Sequence, residues 1–156
     1  MNDDFYEAYR RAVRAKKTEN INEFNTLPDI NRDVEHPDHY TQHPSGVECI
    51  QIVEGLPFAI GNVVKYIWRY DRKNGTVDLE KAVRYIGYTK RTHFDTIMRS
   101  AADLNVELFF KVLQWEEPES PLAQALTHIL NAAYGHPLES FVKWGNLRTE
   151  LQQLLS

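Results

Sequence analysis

The spacing of apolar residues constrains this chain more than any other feature, because it follows a helical period along most of the length. In residues 5–17 the apolar side chains recur at intervals of three and four, as on one face of an amphipathic helix. The same spacing recurs in segments 45–55, 57–70, 76–90, 92–115, 121–134 and 137–155. No alternation of period two persists for more than a few residues. The sequence therefore predicts an all-α protein, folded as a compact helical bundle.

This periodicity also divides the chain into four parts. We predict an N-terminal helix at 1–17 and an extended arm or loop at 18–44, where the sequence is polar and holds three prolines. A three-helix core follows at 45–91. Residues 92–156 are predicted to form a C-terminal helical extension that packs on this core.

Local signals place the three helices of the core segment. Ser45 is the predicted cap of the first helix, the second runs from Pro57 to about Tyr70, and Thr76 or Asp78 caps the third. The side chains expected to face the core are those of Val47, Cys49, Ile50, Val53, Ile60, Val63, Val64, Ile67, Leu79, Val83 and Ile86.

Composition narrows the cellular context. No run of about eighteen apolar residues occurs, so no membrane span and no membrane partner are expected. The N-terminal residues lack the apolar centre of a secretion signal. Cys49 is the only cysteine, which excludes a disulfide within the chain and fits a reducing compartment. We expect a cytoplasmic protein.

Positive charge is concentrated in one part of an acidic chain. Residues 62–91 contain eight Lys or Arg against three acidic residues, while the net charge of the whole chain is −4. This distribution favours a small anion over direct nucleic-acid binding, which relies on a broad positive field. No GxxxxGK[ST] or GxGxxG loop is present, so helical side chains would have to bind any phosphate.

The candidate phosphate ligands lie on and just after the second helix. Lys65 and Arg69 share one helical face with Asn62, and Arg72 and Lys73 follow at the negative end of the helix. The neighbouring aromatic residues, which could stack on a base, are Tyr66, Trp68 and Tyr70. The competing interpretation is a set of solvated charges and helix-end electrostatics.

Carboxylates and histidines supply further candidates. Glu48, Glu54 and Asp78 could hold Mg²⁺ or orient the cations, although solvent exposure and the helix dipole explain such residues equally well. The stretch HPDHYTQH contains His36, His39 and His43. Pro37 and Pro44 argue against a helical zinc pair there, and favour a loop that contacts substrate or has only a structural role.

Taken together, these motifs resemble a small phage-encoded family of nucleotide kinases, long described as a domain of unknown function. The family pattern is an HY pair, a helix with two glutamates, a GNxxKYxxR helix and a DLxKAxxY helix. It is matched over about 36–88, at His39, Tyr40, Gly46, Glu48, Glu54, Gly61, Asn62, Lys65, Tyr66, Arg69, Lys73, Asp78, Leu79, Lys81, Ala82 and Tyr85.

The resemblance implies a deoxynucleoside monophosphate kinase without a P-loop, with dTMP and dGMP as acceptors and a nucleoside triphosphate as donor. On chemical grounds we assign catalysis to Lys65, Arg69 and Glu48, with Mg²⁺ on Glu48, Glu54 or Asp78 if a metal takes part. The candidate substrate-binding residues are His39, Tyr40, Asn62, Tyr66, Arg72, Lys73, Asp78, Lys81 and Tyr85. Of these, His39 and Tyr40 could cover the base or sugar.

Two other functions and one mode of assembly stay open. An all-α nucleoside triphosphate pyrophosphohydrolase of the MazG type also works from helices, although the spacing of Glu48 and Glu54 departs from its ExxE pattern. A non-catalytic nucleotide- or protein-binding phage module is the other alternative. The flanking segments 5–17 and 92–155 carry many large apolar side chains, including Phe109, Phe110, Trp115, Phe141 and Trp144. If these do not all pack on the core, they predict a homo-oligomer, with a neighbouring subunit bordering the nucleotide site.

Overall fold

The structure is a computed structural model that describes residues 37–156, and all the regular structure in this range is helical. The all-α prediction is confirmed. The helices are α1 (Asp38–Thr41), α2 (Cys49–Val53), α3 (Phe58–Arg69), α4 (Thr76–Tyr88), α5 (Arg91–Arg99), a 3₁₀ turn (Ala101–Asp103), α6 (Val106–Leu113), α7 (Pro121–Ala133) and α8 (Pro137–Leu154). The predicted helix at 5–17, most of the predicted arm and His36 lie outside the described residues.

Helices α3 and α4 form a hairpin that the later helices complete. Helix α3 packs on α4 and α7, α4 also packs on α8, and α5 lies against both α7 and α8. The largest fully buried side chains come from both halves of this arrangement and include Trp68, Phe94, Phe109 and Trp144. Within 37–156, no helix is long and apolar enough to cross a membrane.

Helix α3 follows the prediction closely. It begins directly after Pro57, whose ring lacks the N–H that a helix start leaves unpaired. The four residues predicted to face the core are fully buried, namely Ile60, Val63, Val64 and Ile67. Cys49, on the preceding helix, is buried as predicted, and burial raises the pKa of its thiol to about 12.

The first predicted helix of the core is shorter than expected, and its buried face differs. Ser45 does not cap it, because the Ser45 hydroxyl accepts the Val47 N–H in a turn that includes Gly46 at φ +70°. Helix α2 therefore begins only at Cys49. As a result Ile52 is buried, whereas Ile50, predicted in the core, is 60% exposed.

Two further details of the core segment correct the prediction. Gly75, at φ +52°, occupies the cap position of α4, so neither Thr76 nor Asp78 caps this helix. Val83 is half-buried, although Leu79 and Ile86 are buried as expected. Residues 38–41 form one helical turn inside the segment predicted to be extended. Pro37 and Pro44 lie on either side of this turn and do not interrupt it.

The C-terminal region begins and ends its helices near the predicted positions. Ser120 caps α7 by accepting the Ala123 N–H at 3.0 Å, and Gly135 follows the end of α7 at φ +101°. The segment 92–115, which has helical spacing throughout, is divided into α5, the 3₁₀ turn and α6.

Candidate functional site

One face of the α3–α4 hairpin carries most of the predicted site residues. The helices run antiparallel, because Arg69 at the end of α3 bonds Asp78 at the start of α4, while Tyr66 stacks on Tyr85 further along. Residues spaced by three or four on each helix lie on one side. On α3 these are Phe58, Asn62, Lys65, Tyr66 and Arg69, and on α4 they are Asp78, Lys81, Tyr85 and Tyr88.

A buried ion pair anchors the turn end of this face. Arg69 donates from Nε to Asp78 Oδ2 at 2.9 Å and from Nη2 to Oδ1 at 3.0 Å, and its Nη1 donates to the hydroxyl of Tyr40. The Asp78 side chain is 0% exposed. Burial alone would raise the pKa of Asp78, but the hydrogen bonds and charge of Arg69, with help from Asn74 and Lys81, lower it overall.

Two lysines gather around the same tyrosine rings. Lys65 Nζ lies 5.8 Å from the ring centroid of Tyr66 and 5.9 Å from that of Tyr40, while Lys81 Nζ lies 5.4 Å from Tyr66. The guanidinium of Arg69 also lies over both rings. Such contacts stabilise a cation through the negative face of the ring without neutralising its charge.

A fourth cation reaches the same place from the loop after α3. Lys73 Nζ donates to His39 Nε2 at 3.1 Å, and the His39 ring lies 4.3 Å from that of Tyr40. Burial, followed by the charges of Lys73 and Arg69, lowers the pKa of His39. The imidazole is therefore neutral at pH 7, and its Nε2 can accept a hydrogen bond from the Lys73 ammonium group.

We call this arrangement the cationic cluster, formed by Lys65, Arg69, Lys73 and Lys81 around the rings of Tyr40 and Tyr66. Within residues 37–156, Asp78 is the one carboxylate that pairs with any of these four cations, contacting Arg69 and, at 3.4 Å, Lys81. The cluster thus keeps an excess of positive charge beside aromatic rings, which is the electrostatic requirement for binding an anion.

Some predicted residues lie at the edge of the cluster or outside it. Asn62 Nδ2 donates to the Phe58 carbonyl at 2.8 Å, one turn back along α3. Arg72 lies 3.8 Å from Asp71, and both line an open cleft of about 540 Å³ together with Lys73. Trp68 is fully buried and cannot stack on a base, contrary to the prediction.

The carboxylates predicted as Mg²⁺ ligands do not assemble. Both oxygens of Asp78 already accept hydrogen bonds from Arg69. Glu48 and Glu54 lie at the two ends of α2. In the described part of the chain, no group of three or more His, Cys, Asp or Glu side chains could hold a metal ion. The prediction of Mg²⁺ stays a prediction.

Sequence reasoning missed a second polar network, centred on buried His43. The N–H of Ser45 donates to His43 Nδ1 at 3.2 Å, and His43 Nε2 lies 3.0 Å from Glu116 Oε1. Ser120 donates to the other oxygen of Glu116 at 2.6 Å. No local pattern signals this network, because Glu116 is 73 positions from His43. It joins the segment before α2 to the start of α7.

The fold and this site define a small all-α protein with a cationic, aromatic face on a helical hairpin. Residues 34–87 match a family model described as a protein of unknown function, DUF3310. This match covers about the same region as the motifs compared above, and the family description carries no activity. No curated protein and no solved structure matches the chain.

Proposed function

We propose that this protein binds nucleotides by their phosphate groups at the cationic cluster. We propose further that it acts as a deoxynucleoside monophosphate kinase, with dTMP and dGMP as acceptors and a nucleoside triphosphate as donor. The observation that carries the binding proposal is the charge imbalance: within residues 37–156 one buried carboxylate, Asp78, pairs with two of the four cations, and Lys65 and Lys73 pair with none. The kinase activity follows from the family resemblance.

The cations of the cluster have different roles in this proposal. Arg69 is committed to Asp78 and Tyr40, so it fixes the geometry of the cluster. Lys65 has no carboxylate within ion-pair distance among residues 37–156, and Lys73 bonds only a neutral imidazole. These two lysines, with half-exposed Lys81, are therefore the groups available to a phosphate. Lysine suits this task as a compact point charge on a flexible stem.

Such a cluster suits phosphoryl transfer, which requires positioning and positive charge more than covalent chemistry from the protein. An oxygen of the acceptor monophosphate attacks the terminal phosphorus of the donor. The bond from that phosphorus to the bridging oxygen breaks, and the donor leaves as a diphosphate that keeps this oxygen. Lys65, Lys73 and Lys81 offset the negative charge that develops between the two nucleotides.

The test is incubation of the purified protein with each deoxynucleoside monophosphate and a triphosphate donor, followed by chromatography of the products. We expect dTDP or dGDP from the wild type and a loss of about tenfold or more in Lys65→Ala, since a charge-assisted hydrogen bond is removed. Lys111→Ala, which removes an exposed lysine on α6, is the matched control.

Other outcomes would assign other functions. Release of pyrophosphate from a triphosphate would identify a hydrolase of the MazG type. Nucleotide binding without turnover would identify a binding module. If Lys65→Ala and Lys73→Ala both bind nucleotides as tightly as the wild type, the cluster is only a solvated face and the proposal fails.

A homo-oligomer belongs to the same proposal. Phe109 and Trp144, two of the residues that suggested it, are buried within the chain itself. Other large apolar side chains stay exposed, among them Trp115 at 62% and the pair Leu138 and Val142, one turn apart on α8. We propose that exposed apolar side chains such as these pack on a second copy. Light scattering should then give a mass above the 18.2 kDa of one chain.

A further inference from the structure

Beyond Tyr66, the hairpin face continues as a row of aromatic rings. Tyr85 stacks on Tyr66 with ring centroids 5.6 Å apart. It also makes edge contacts with Phe58 at 6.0 Å and with Tyr88 at 5.8 Å. We call Phe58, Tyr85 and Tyr88 the aromatic face.

The outer rings of this face are open to solvent. Phe58 is 77% exposed, more than any other large apolar side chain in the described part of the chain. Tyr88 is 59% exposed. A phenylalanine left this open contributes little to the core of its own domain. Because the row touches Tyr66, it is continuous with the cationic cluster.

The distance along α3 from Phe58 to Lys65 matches the length of one nucleotide. Phe58 precedes Lys65 by seven residues, which corresponds to about 10 Å along the axis of α3 at 1.5 Å per residue. This is the scale of a nucleoside monophosphate from phosphate to base. Asn62 lies between the two ends, and its amide nitrogen donates to Phe58 O, so its Oδ1 remains as an acceptor for a ligand.

We propose that the aromatic face binds the nucleobase of the nucleotide whose phosphate lies in the cationic cluster. This inference rests on the proposed function and adds a direction to it. The phosphate lies towards the turn between α3 and α4, and the base lies over Phe58, Tyr85 and Tyr88, near the start of α3. Each base has a π-face, so stacking supplies affinity with little base selection. Selection between bases then falls to polar groups such as Asn62.

The proposed placement also gives two residues a role different from the one expected. His39 and Tyr40 were predicted to cover the base or sugar. They instead contact Lys73 and Arg69 at the phosphate end of the face. The base-binding role moves to Phe58 and Tyr88, which the sequence analysis did not single out.

The experiment compares ligands with and without a base by isothermal titration calorimetry. The probes are dTMP, dGMP and 2-deoxyribose 5-phosphate. We expect Phe58→Leu and Tyr88→Leu each to weaken dTMP and dGMP about fivefold or more, as loss of one stacking contact does, and to leave 2-deoxyribose 5-phosphate unchanged. Lys65→Ala should weaken all three. Ile50→Ala, which removes a comparably exposed apolar side chain on α2, should change none.

The possible outcomes distinguish this inference from the proposed function on which it rests. If both leucine variants bind dTMP and dGMP like the wild type while Lys65→Ala weakens all three ligands, the aromatic face does not bind the base and the proposed function stands. If Lys65→Ala weakens none, both proposals fail. Binding of an eight-residue oligothymidylate far more tightly than dTMP would assign the face to single-stranded nucleic acid, and would overturn the mononucleotide assignment.

Discussion

At the scale of single residues, Asp78 is the group on which the geometry of the cluster depends. It is fully buried, and it holds the guanidinium of Arg69 with both oxygens. Removing one partner of a buried ion pair leaves the other charge without compensation, which costs far more than losing an exposed pair.

We therefore expect Asp78→Asn to lower the free energy of unfolding by about 3 kcal/mol or more at pH 7. Because the folded protein lowers the pKa of Asp78, the ionised carboxylate stabilises the fold above the ordinary aspartate pKa. This contribution disappears as the pH falls through the lowered value, so the difference between wild type and variant should shrink in acid. Urea denaturation at several pH values measures it.

The control for this experiment is Asp71→Asn. Asp71 is exposed and lies 3.8 Å from Arg72, so its removal should cost less than about 1 kcal/mol. Equal losses in the two variants would mean that the Arg69–Asp78 pair is no more important than a surface contact.

If the cationic cluster binds an anion as proposed, we expect His39 to make this binding depend on pH. Burial, Lys73 and Arg69 lower its pKa, against smaller opposite effects of Asp78 and Asp38. A bound anion favours the imidazolium and raises this pKa. The affinity for sulfate, whose charge is constant near neutral pH, should therefore rise as the pH falls through the raised pKa. It should level off below the lowered pKa.

The comparison with His39→Gln isolates this effect. We expect titration calorimetry with sulfate to give an affinity nearly independent of pH in the variant, since glutamine does not titrate. A wild type and a variant with the same pH profile would exclude His39 as the titrating group.

At the scale of elements, two glycines of the hairpin respond in opposite ways to the same substitution. A Cβ on Gly61 would lie 3.7 Å from Val53 and 3.8 Å from Leu56, which is ordinary contact. A Cβ on Gly75 would meet nothing within 4 Å, but its φ of +52° strains any other residue. Space permits both changes, and backbone conformation distinguishes them.

Gly61→Ala should thus raise the free energy of unfolding by about 0.5–1 kcal/mol, the difference in helix propensity. Gly75→Ala should lower it by about 1–3 kcal/mol, the cost of an unfavourable φ and ψ. Thermal unfolding followed by circular dichroism measures both. A loss in Gly61→Ala comparable to that in Gly75→Ala would indicate that the α2–α3 contact has no room for a methyl group.

The sequence predicted the long elements better than the short ones. Helix α3 has a continuous apolar face and a proline at its start, and α7 has a serine cap. Both helices begin and end close to the predicted residues. Helix α2 has only five residues, and the hydrogen bonds of Ser45 to neighbouring groups decide where it begins. Such bonds compete with helical ones, and periodicity does not record them.

The candidate site was predictable to the same limited extent. Helical spacing placed Lys65 and Arg69 together, because this grouping depends on one helix alone. The partners across helices, such as Asp78 for Arg69 and Glu116 for His43, depend on how the helices pack. A single sequence carries no signal for that packing.

At the scale of the whole molecule, the helices after residue 91 complete the core of the hairpin. Helix α7 packs on α3, and α8 packs on α4. The buried side chains of α7 include Leu126 and Ile129, and α8 contributes Trp144. The family match ends at residue 87, before any of these helices begins. The matched region therefore contains the cationic cluster, but it does not contain all the helices that support this cluster.

A chain that ends at Arg91 should accordingly lose cooperative unfolding. Removal of α7 and α8 leaves the inner faces of α3 and α4 in water, and a core of this size rarely supplies more than about 3–5 kcal/mol even when complete. Circular dichroism should record a broad thermal transition with reduced helix content, and addition of a separate fragment 92–156 should restore a sharp one. A sharp transition in the shortened chain alone would mean that the matched region folds independently, and that α7 and α8 are accessory to it.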